Sequence, residues 1–200
     1  MGADQISFYV NLLSIVVVSI SWVIFGWMIL SGRKAHASED KIREPLSWIG
    51  LVLQLAGMGV TILPRWPIGS QFVGDQDALN IVLQIAAIIL AVGSVWLVIS
   101  ALRELGKQWS LEARVLEGHK LIKTGVYGVV RHPIYTAMLG MLLANGFAVG
   151  HWLIVVTGLI VFLIGTRIRT HLEERLLREA FGKEFENWRA KVPGLIPFLF

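Results

Sequence analysis

The stretch from Phe8 to Leu30 contains no charged side chain. A helix needs about 20 apolar residues to cross the ~30 Å hydrocarbon core of a bilayer, and a run this long folds there only if its backbone groups bond to one another within the segment. Two further runs, Leu46–Leu63 and Ala78–Leu102, are of similar kind, and two shorter ones, Ile134–Val149 and Trp152–Thr166, are separated only by Gly150 and His151. The shorter pair reads as a tight helical hairpin, either spanning with tilt or local bilayer thinning or re-entering without reaching the far side. Only 16% of the 200 residues are charged while 55% are hydrophobic, too little charge for an ordinary water-soluble surface. A soluble domain, a disordered chain and a nucleic-acid binder are thereby excluded.

The cationic residues fall between the apolar runs. Counting Lys and Arg along the chain gives four in 31–45, one in 64–77, six in 103–133, none at 150–151 and seven from 167 onward. This alternation predicts five transmembrane helices, with the N-terminus outside and the C-terminus in the cytosol. Residues 1–7 hold no Lys or Arg, and the run that follows exceeds the ~7–15 residues of a signal-peptide core, so it reads as a retained membrane helix. The turn-rich loop 64–77 falls outside on this reading, and Trp48 and Trp66 suit the interfaces. The expectation is an all-α integral membrane protein with two regions. Residues 1–102 carry three N-terminal helices. Residues 103–200 carry a cytosolic loop, the hairpin and a C-terminal amphipathic helix.

Nearly all polar chemistry lies on the predicted cytosolic side. Leu172, Leu176, Leu177, Ala180, Phe181, Phe185 and Trp188 recur at helical spacing among charged residues, the pattern of an amphipathic helix. Such a helix either lies on lipid headgroups or packs on 103–133 and closes a pocket. Arg131-His132-Pro133 precedes the fourth run, where a proline suits the first turn of a helix. Arg169 and Glu173 stand four apart. They form either an exposed i,i+4 pair or, at the mouth of the last span, the lining of a cavity. With no cysteine, no disulfide, thiol nucleophile or Cys-based zinc site is available, and His119 and His132 lack the spacing of a metal motif. No phosphate loop and no βαβ dinucleotide fingerprint occurs.

Three runs of residues carry a family resemblance: Gly118-His119-Lys120-Leu121-Ile122-Lys123-Thr124-Gly125-Val126-Tyr127, then Arg131-His132-Pro133-Ile134-Tyr135, then Glu173-Glu174 through Phe181-Gly182 to Val192-Pro193. In this order they closely resemble the isoprenylcysteine carboxyl methyltransferase family, over about residues 100–200. Phospholipid N-methyltransferases and membrane sterol reductases share parts of the pattern. The resemblance implies an integral membrane enzyme that moves a methyl group from S-adenosyl-L-methionine to the carboxylate of a prenylated cysteine. It puts His119, Lys120, Leu121, Ile122, Tyr127, His132, Pro133, Ile134, Tyr135 and Glu173 on cofactor-binding positions and Arg169 on an acceptor-carboxylate position. Glu112 falls where relatives carry a cofactor-contacting glutamine.

The implied partners are a lipophilic or prenylated acceptor and the bilayer, with no nucleic acid. A carboxylate acceptor is already ionised at pH 7 and asks of the protein mainly positioning. An amine or thiol acceptor, the alternative methyltransferase reading, needs a proton acceptor, and His132 is the nearest candidate. A nicotinamide-dependent membrane reductase and a non-enzymatic membrane protein are the remaining alternatives.

Overall fold

The structure, a computed structural model, describes residues 3–31, 40–44, 46–62, 77–116, 118 and 120–196. The architecture is helical. In chain order come α1 (Ala3–Ser31), β1 (Asp40–Arg43), α2 (Ser47–Val60), α3 (Asp77–Leu105), β2 (Arg114–Leu116), α4 (Pro133–Val149), α5 (Trp152–Phe181) and α6 (Lys183–Arg189). Three of these, spanning Gln5–Ser31, Ala78–Gln108 and Trp152–Phe181, are long and apolar enough to cross a membrane. α2 and α4 are apolar but shorter, with 14 and 17 residues, or about 21 and 26 Å at 1.5 Å per residue.

The three long helices confirm that the long apolar runs are helical, and the structure adds detail to the sequence reading. The second run stops being helix at Val60, where Thr61 turns its hydroxyl back onto the Met58 carbonyl at 2.7 Å. The fifth run continues unbroken to Phe181, as expected of a tail that begins as a direct extension of the last span, so that the span and the first half of the expected amphipathic helix are one rod. Gly182, at φ +50°, ends that rod; the left-handed backbone suits glycine, and α6 restarts in a new direction. Beyond the helices, β1 and β2 form a short antiparallel ribbon with Ile42 opposite Val115 and Arg43 opposite Arg114.

Burial along α3 follows a strict seam. Asn80, Gln84, Ala87, Ala91, Ser94, Val98 and Ala101 are buried, spaced alternately by four and three residues, as helix-on-helix packing requires. Between them Val82, Ile89, Val92 and Trp96 are exposed, an apolar outer face fit for hydrocarbon. α4 is buried on nearly every side, with Ala137, Met138, Met141, Leu142, Ala144 and Ala148 among its covered residues, and packs against α3, α1 and α5.

α2 and α5 touch backbone to backbone. A Cβ placed on Gly57 would stand 2.5 Å from the Gly158 carbonyl oxygen, and one on Gly165 would stand 2.6 Å from that of Gly50. Small residues at such a crossing let apolar helices gain dispersion contact in lipid. Polar side chains tie the helices too: Gln54 donates to Thr166 Oγ1 at 2.9 Å, Asn145 to the Thr61 carbonyl at 2.7 Å and Gln84 to the Phe147 carbonyl at 3.2 Å.

Candidate active site

At one end of the bundle α5 runs on past the start of α4, and the 106–135 segment folds against it. Three stretches of that segment form walls of a cavity. Gln108 to Ala113, leaving α3, make the first; Lys120 to Ile122 make the second; Arg131 to Tyr135, turning into α4, make the third. Gly125, at φ +56°, opens a 3-10 turn over Gly125–Gly128 that brings Tyr127 inward. Pro133 starts α4, and its N-cap His132, at φ −123° and ψ 62°, stays out of the helical region that a following proline disfavours. α5 supplies Glu173, Leu176 and Leu177, and α6 supplies Trp188.

The first wall is fastened from several sides. The Ala113 amide donates to Ser47 Oγ at 3.3 Å and its carbonyl accepts from the Glu44 amide at 3.0 Å. The Leu111 carbonyl accepts from Arg169 Nη2 at 2.7 Å, and the Lys120 amide donates to Gln108 Oε1. The loop before α2 therefore helps to hold the cavity, although α1 and α2 contribute no lining residue.

Nine of the residues singled out in the sequence line this cavity together: Lys120, Leu121, Ile122, Tyr127, His132, Pro133, Ile134, Tyr135 and Glu173. Glu112 lines it too. His119 lies outside the described residues. Arg169 does not line the cavity. It sits behind Tyr135 and Glu173, only 3% exposed, and so is not a surface ion pair. Its Nε donates to the Tyr135 hydroxyl at 2.7 Å and its Nη2 also reaches Glu173 Oε1 at 3.3 Å. The Tyr135 hydroxyl in turn donates to that same Glu173 oxygen. Nη1 has no hydrogen-bond partner among the described residues. Room for the arginine stem comes from Gly50, where a Cβ would stand 2.5 Å from Arg169 Cγ.

His132 lies between two carboxylates. Its Nδ1 is 3.5 Å from Glu173 Oε2 and its Nε2 is 3.1 Å from Glu174 Oε1. Burial disfavours the charged ring, but the hydrogen bonds and charges of Glu173 and Glu174 outweigh it and raise the pKa above the ordinary histidine value. Both ring nitrogens face carboxylate oxygens, and the ring stacks on Tyr135 with centroids 5.7 Å apart. Burial, with the charges of Glu173 and Glu104, pushes the Tyr127 hydroxyl up as well, so it stays neutral.

Glu174, quoted in the sequence only as part of the Glu173-Glu174 pair, is a hub. It takes Arg131 at 3.0 Å and Arg189 at 3.1 Å besides His132. Arg131 also donates to the carbonyls of Arg189, at 3.0 Å, and Val192, while the Arg131 and His132 amides donate to Pro193 and Gly194 carbonyls at 2.9 and 3.0 Å. The last described residues thus strap across the start of α4. Trp188 donates its indole N–H to the Tyr127 carbonyl at 3.2 Å, and Phe185 is fully buried. Gln108, Trp109 and Ser110 carry no signal in the sequence: they follow α3 with no periodic pattern, and their place depends on contacts far along the chain.

A phospholipid methyltransferase family model matches residues 82–184. Among curated relatives, a methanethiol S-methyltransferase of Pseudomonas deceptionensis is 39% identical over 75 residues, 37% of this chain and 27% of that protein. A probable protein-S-isoprenylcysteine O-methyltransferase of Oryza sativa subsp. indica is 35% identical over 81 residues, 40% of this chain and 42% of that protein. The corresponding enzyme of Schizosaccharomyces pombe is 28% identical over 102 residues, 50% of this chain and 43% of that protein. The matched stretch spans less than half the length of each of these relatives. The stretch matched by the family model holds most of α3, all of α4 and α5 and every cavity-lining residue but Trp188, and on that match the chain belongs to the phospholipid methyltransferase family, alongside the isoprenylcysteine methyltransferases it resembles.

Proposed function

We propose that this protein is a membrane methyltransferase that uses S-adenosyl-L-methionine and esterifies the carboxylate of a prenylcysteine-like or other lipid-bearing acceptor. In this reading α1 to α5 are five membrane spans with the N-terminus outside. The cavity opens to the cytosol, and α6 with its strap closes it. The lining suits the cofactor's chemistry. Glu173 offers a carboxylate to the amino or ribose groups. Leu121, Ile122 and Leu176 offer apolar surface to the adenine. The faces of Tyr127 and Tyr135 attract a sulfonium. When bound, the cofactor supplies an activated methyl group.

The observation that carries the reading is the placement of His132. Its Nδ1 lies 3.5 Å from Glu173 Oε2 and its Nε2 3.1 Å from Glu174 Oε1, so both ring nitrogens are turned to fixed carboxylates and neither is turned to an acceptor as a base. A carboxylate needs no deprotonation, because it is ionised at neutral pH, so the residues here have only to align it. Arg169 supports the same reading from behind the lining: its Nε holds the Tyr135 hydroxyl and its Nη2 the Leu111 carbonyl and Glu173, so it positions the side chains that face the acceptor. Purified protein given labelled cofactor should methylate a synthetic prenylcysteine but not its carboxamide. Labelling of thiol or amine lipids with no labelling of the carboxylate would replace this reading with the alternative one.

A further inference from the structure

Glu173 and Glu174 are neighbours on α5, and successive side chains on a helix point about 100° apart. They therefore meet different surroundings: Glu173 lines the cavity and Glu174 does not. The two oxygens of Glu173 are held differently. Oε1 takes the Tyr135 hydroxyl and Arg169, while Oε2 takes only His132 Nδ1, at 3.5 Å, among the described residues. The other ring nitrogen of His132 lies 3.1 Å from Glu174 Oε1. Glu174 Oε2 in turn takes Arg189 Nε at 3.1 Å, and Arg189 directly follows Trp188, the residue of α6 that lines the cavity. An unbroken run of polar contacts thus leads from α6 through Glu174 and His132 to one oxygen of Glu173. Two other ties of α6, Trp188 to the Tyr127 carbonyl and Glu184 to Lys123, do not enter this run.

We infer that Glu174 is a positioning residue that couples the seating of α6 to the grip of Glu173 on the cofactor. The inference rests on the S-adenosyl-L-methionine reading and deepens it. With α6 in place, Arg189 holds one oxygen of Glu174 and leaves the other aimed at His132. His132 then holds Glu173 Oε2, and the carboxylate meets the cofactor in one fixed orientation. Geometry fixed in advance spares the cost of ordering those groups when the ligand arrives. Arg131 keeps Glu174 from swinging away, because its guanidinium bonds Oε1 at 3.0 Å and the carbonyls of Arg189 and Val192 besides. With α6 displaced, Glu174 loses Arg189, the His132 ring loses its fixed partner, and Glu173 is held at Oε1 alone. Coupling of this kind is reciprocal: cofactor on Glu173 favours a seated α6 as much as a seated α6 favours the cofactor.

Glu174→Gln keeps the shape of the side chain and removes the charge that Arg131 and Arg189 bond. Calorimetric affinity for S-adenosyl-L-methionine should fall about tenfold, the worth of one hydrogen bond to a charged group. With a synthetic prenylcysteine as acceptor, kcat at saturating cofactor should stay within about twofold, because Glu174 lies outside the cavity lining. Arg189→Gln changes a half-exposed side chain. It should weaken cofactor binding about threefold, as befits an ion pair of that exposure, and should add nothing when made in the Glu174→Gln protein. Lys191→Gln, at an exposed cation two residues on, should change nothing. Hydrogen exchange over residues 183–192 gives a readout that a merely structural carboxylate would not move: the cofactor should slow it in wild type and not in Glu174→Gln. If Glu174→Gln does not fold, Arg189→Gln and the wild-type exchange decide. Unchanged cofactor affinity in Arg189→Gln, or cofactor that leaves α6 exchange untouched in wild type, would overturn the inference. Equal protection of α6 in wild type and Glu174→Gln, additive losses in the double variant, or a kcat loss without an affinity loss would overturn it too. Wild-type protein that binds no S-adenosyl-L-methionine would defeat the underlying reading first, a result distinct from a protein that binds it and is indifferent to Glu174.

Discussion

Tyr135→Phe is the substitution whose outcome the sequence and the structure forecast differently. From sequence the hydroxyl is one cofactor contact among many and its loss is minor. In the structure it is the acceptor for Arg169 Nε at 2.7 Å and the donor to Glu173 Oε1, at the seam between cavity and arginine. Removing one oxygen leaves the ring, its stacking on His132 and the α4 packing unchanged. It strips a buried cation of a hydrogen bond when that cation already has one unpaired N–H. A hydrogen bond to a charged group contributes about 1.5–3 kcal/mol, roughly ten- to a hundredfold in a rate or binding constant. Glu173 keeps Arg169 and His132 as partners. The loss should therefore appear in kcat/KM for a carboxylate acceptor, and cofactor affinity should shift by less than about threefold. Methyl transfer to a synthetic prenylcysteine, with calorimetric titration of cofactor into the same preparation, separates the two. Acceptor kinetics within about twofold of wild type would refute the claim that Tyr135 positions Arg169.

Other expectations concern packing, pH and topology. Gly50→Ala puts a Cβ 2.5 Å from Arg169 Cγ and 2.7 Å from the Gly165 carbonyl; overpacking of this kind costs about 1–3 kcal/mol. It should lower thermal stability in detergent and acceptor turnover together, whereas Gly59→Ala, with nothing within 4 Å, should do neither. His132 has a raised pKa in the fold, so its contribution to stability is fully present below the unfolded value of about 6.5 and is lost as pH rises through the folded value. Melting temperatures should fall on the alkaline side, and His132→Gln should remove that slope. Reporter fusions after residues 38, 118 and 190 should read cytosolic and those near 72 and 150 external; a cytosolic signal at 72 would break the five-span topology.

The apolar runs are enough to place every long helix, because exclusion of water from a helix face needs only hydrophobic length and spacing. The seam on α3 is visible in the order Asn80, Gln84, Ala87, Ala91, Ser94. The ends are harder. Nothing in Leu46–Leu63 marks Val60 as the last helical residue, and the charges from Arg167 onward mark the end of the apolar run but not of the helix, since α5 continues to Phe181. The β1–β2 ribbon has strands of four and three residues, too short to show alternation, and its register is set by pairing between segments far apart in the chain. The motif residues point to one site because their types fit one cofactor. The wall from Gln108 to Ala113 does not stand out, since what makes it a wall is Arg169, Ser47 and Glu44 bonding to its backbone. The Arg169–Glu173 spacing suggests a pair, but only the three-dimensional fold brings Tyr135 between them and buries the arginine.

The most direct test of the account is calorimetric titration of S-adenosyl-L-methionine into detergent-purified protein, wild type beside Glu173→Ala. The cavity bounded by Lys120–Ile122, His132–Tyr135 and Glu173 predicts saturable binding of one cofactor per chain, weakened about tenfold or more when the carboxylate is removed. No binding by the wild type, or equal affinity in Glu173→Ala, would contradict it.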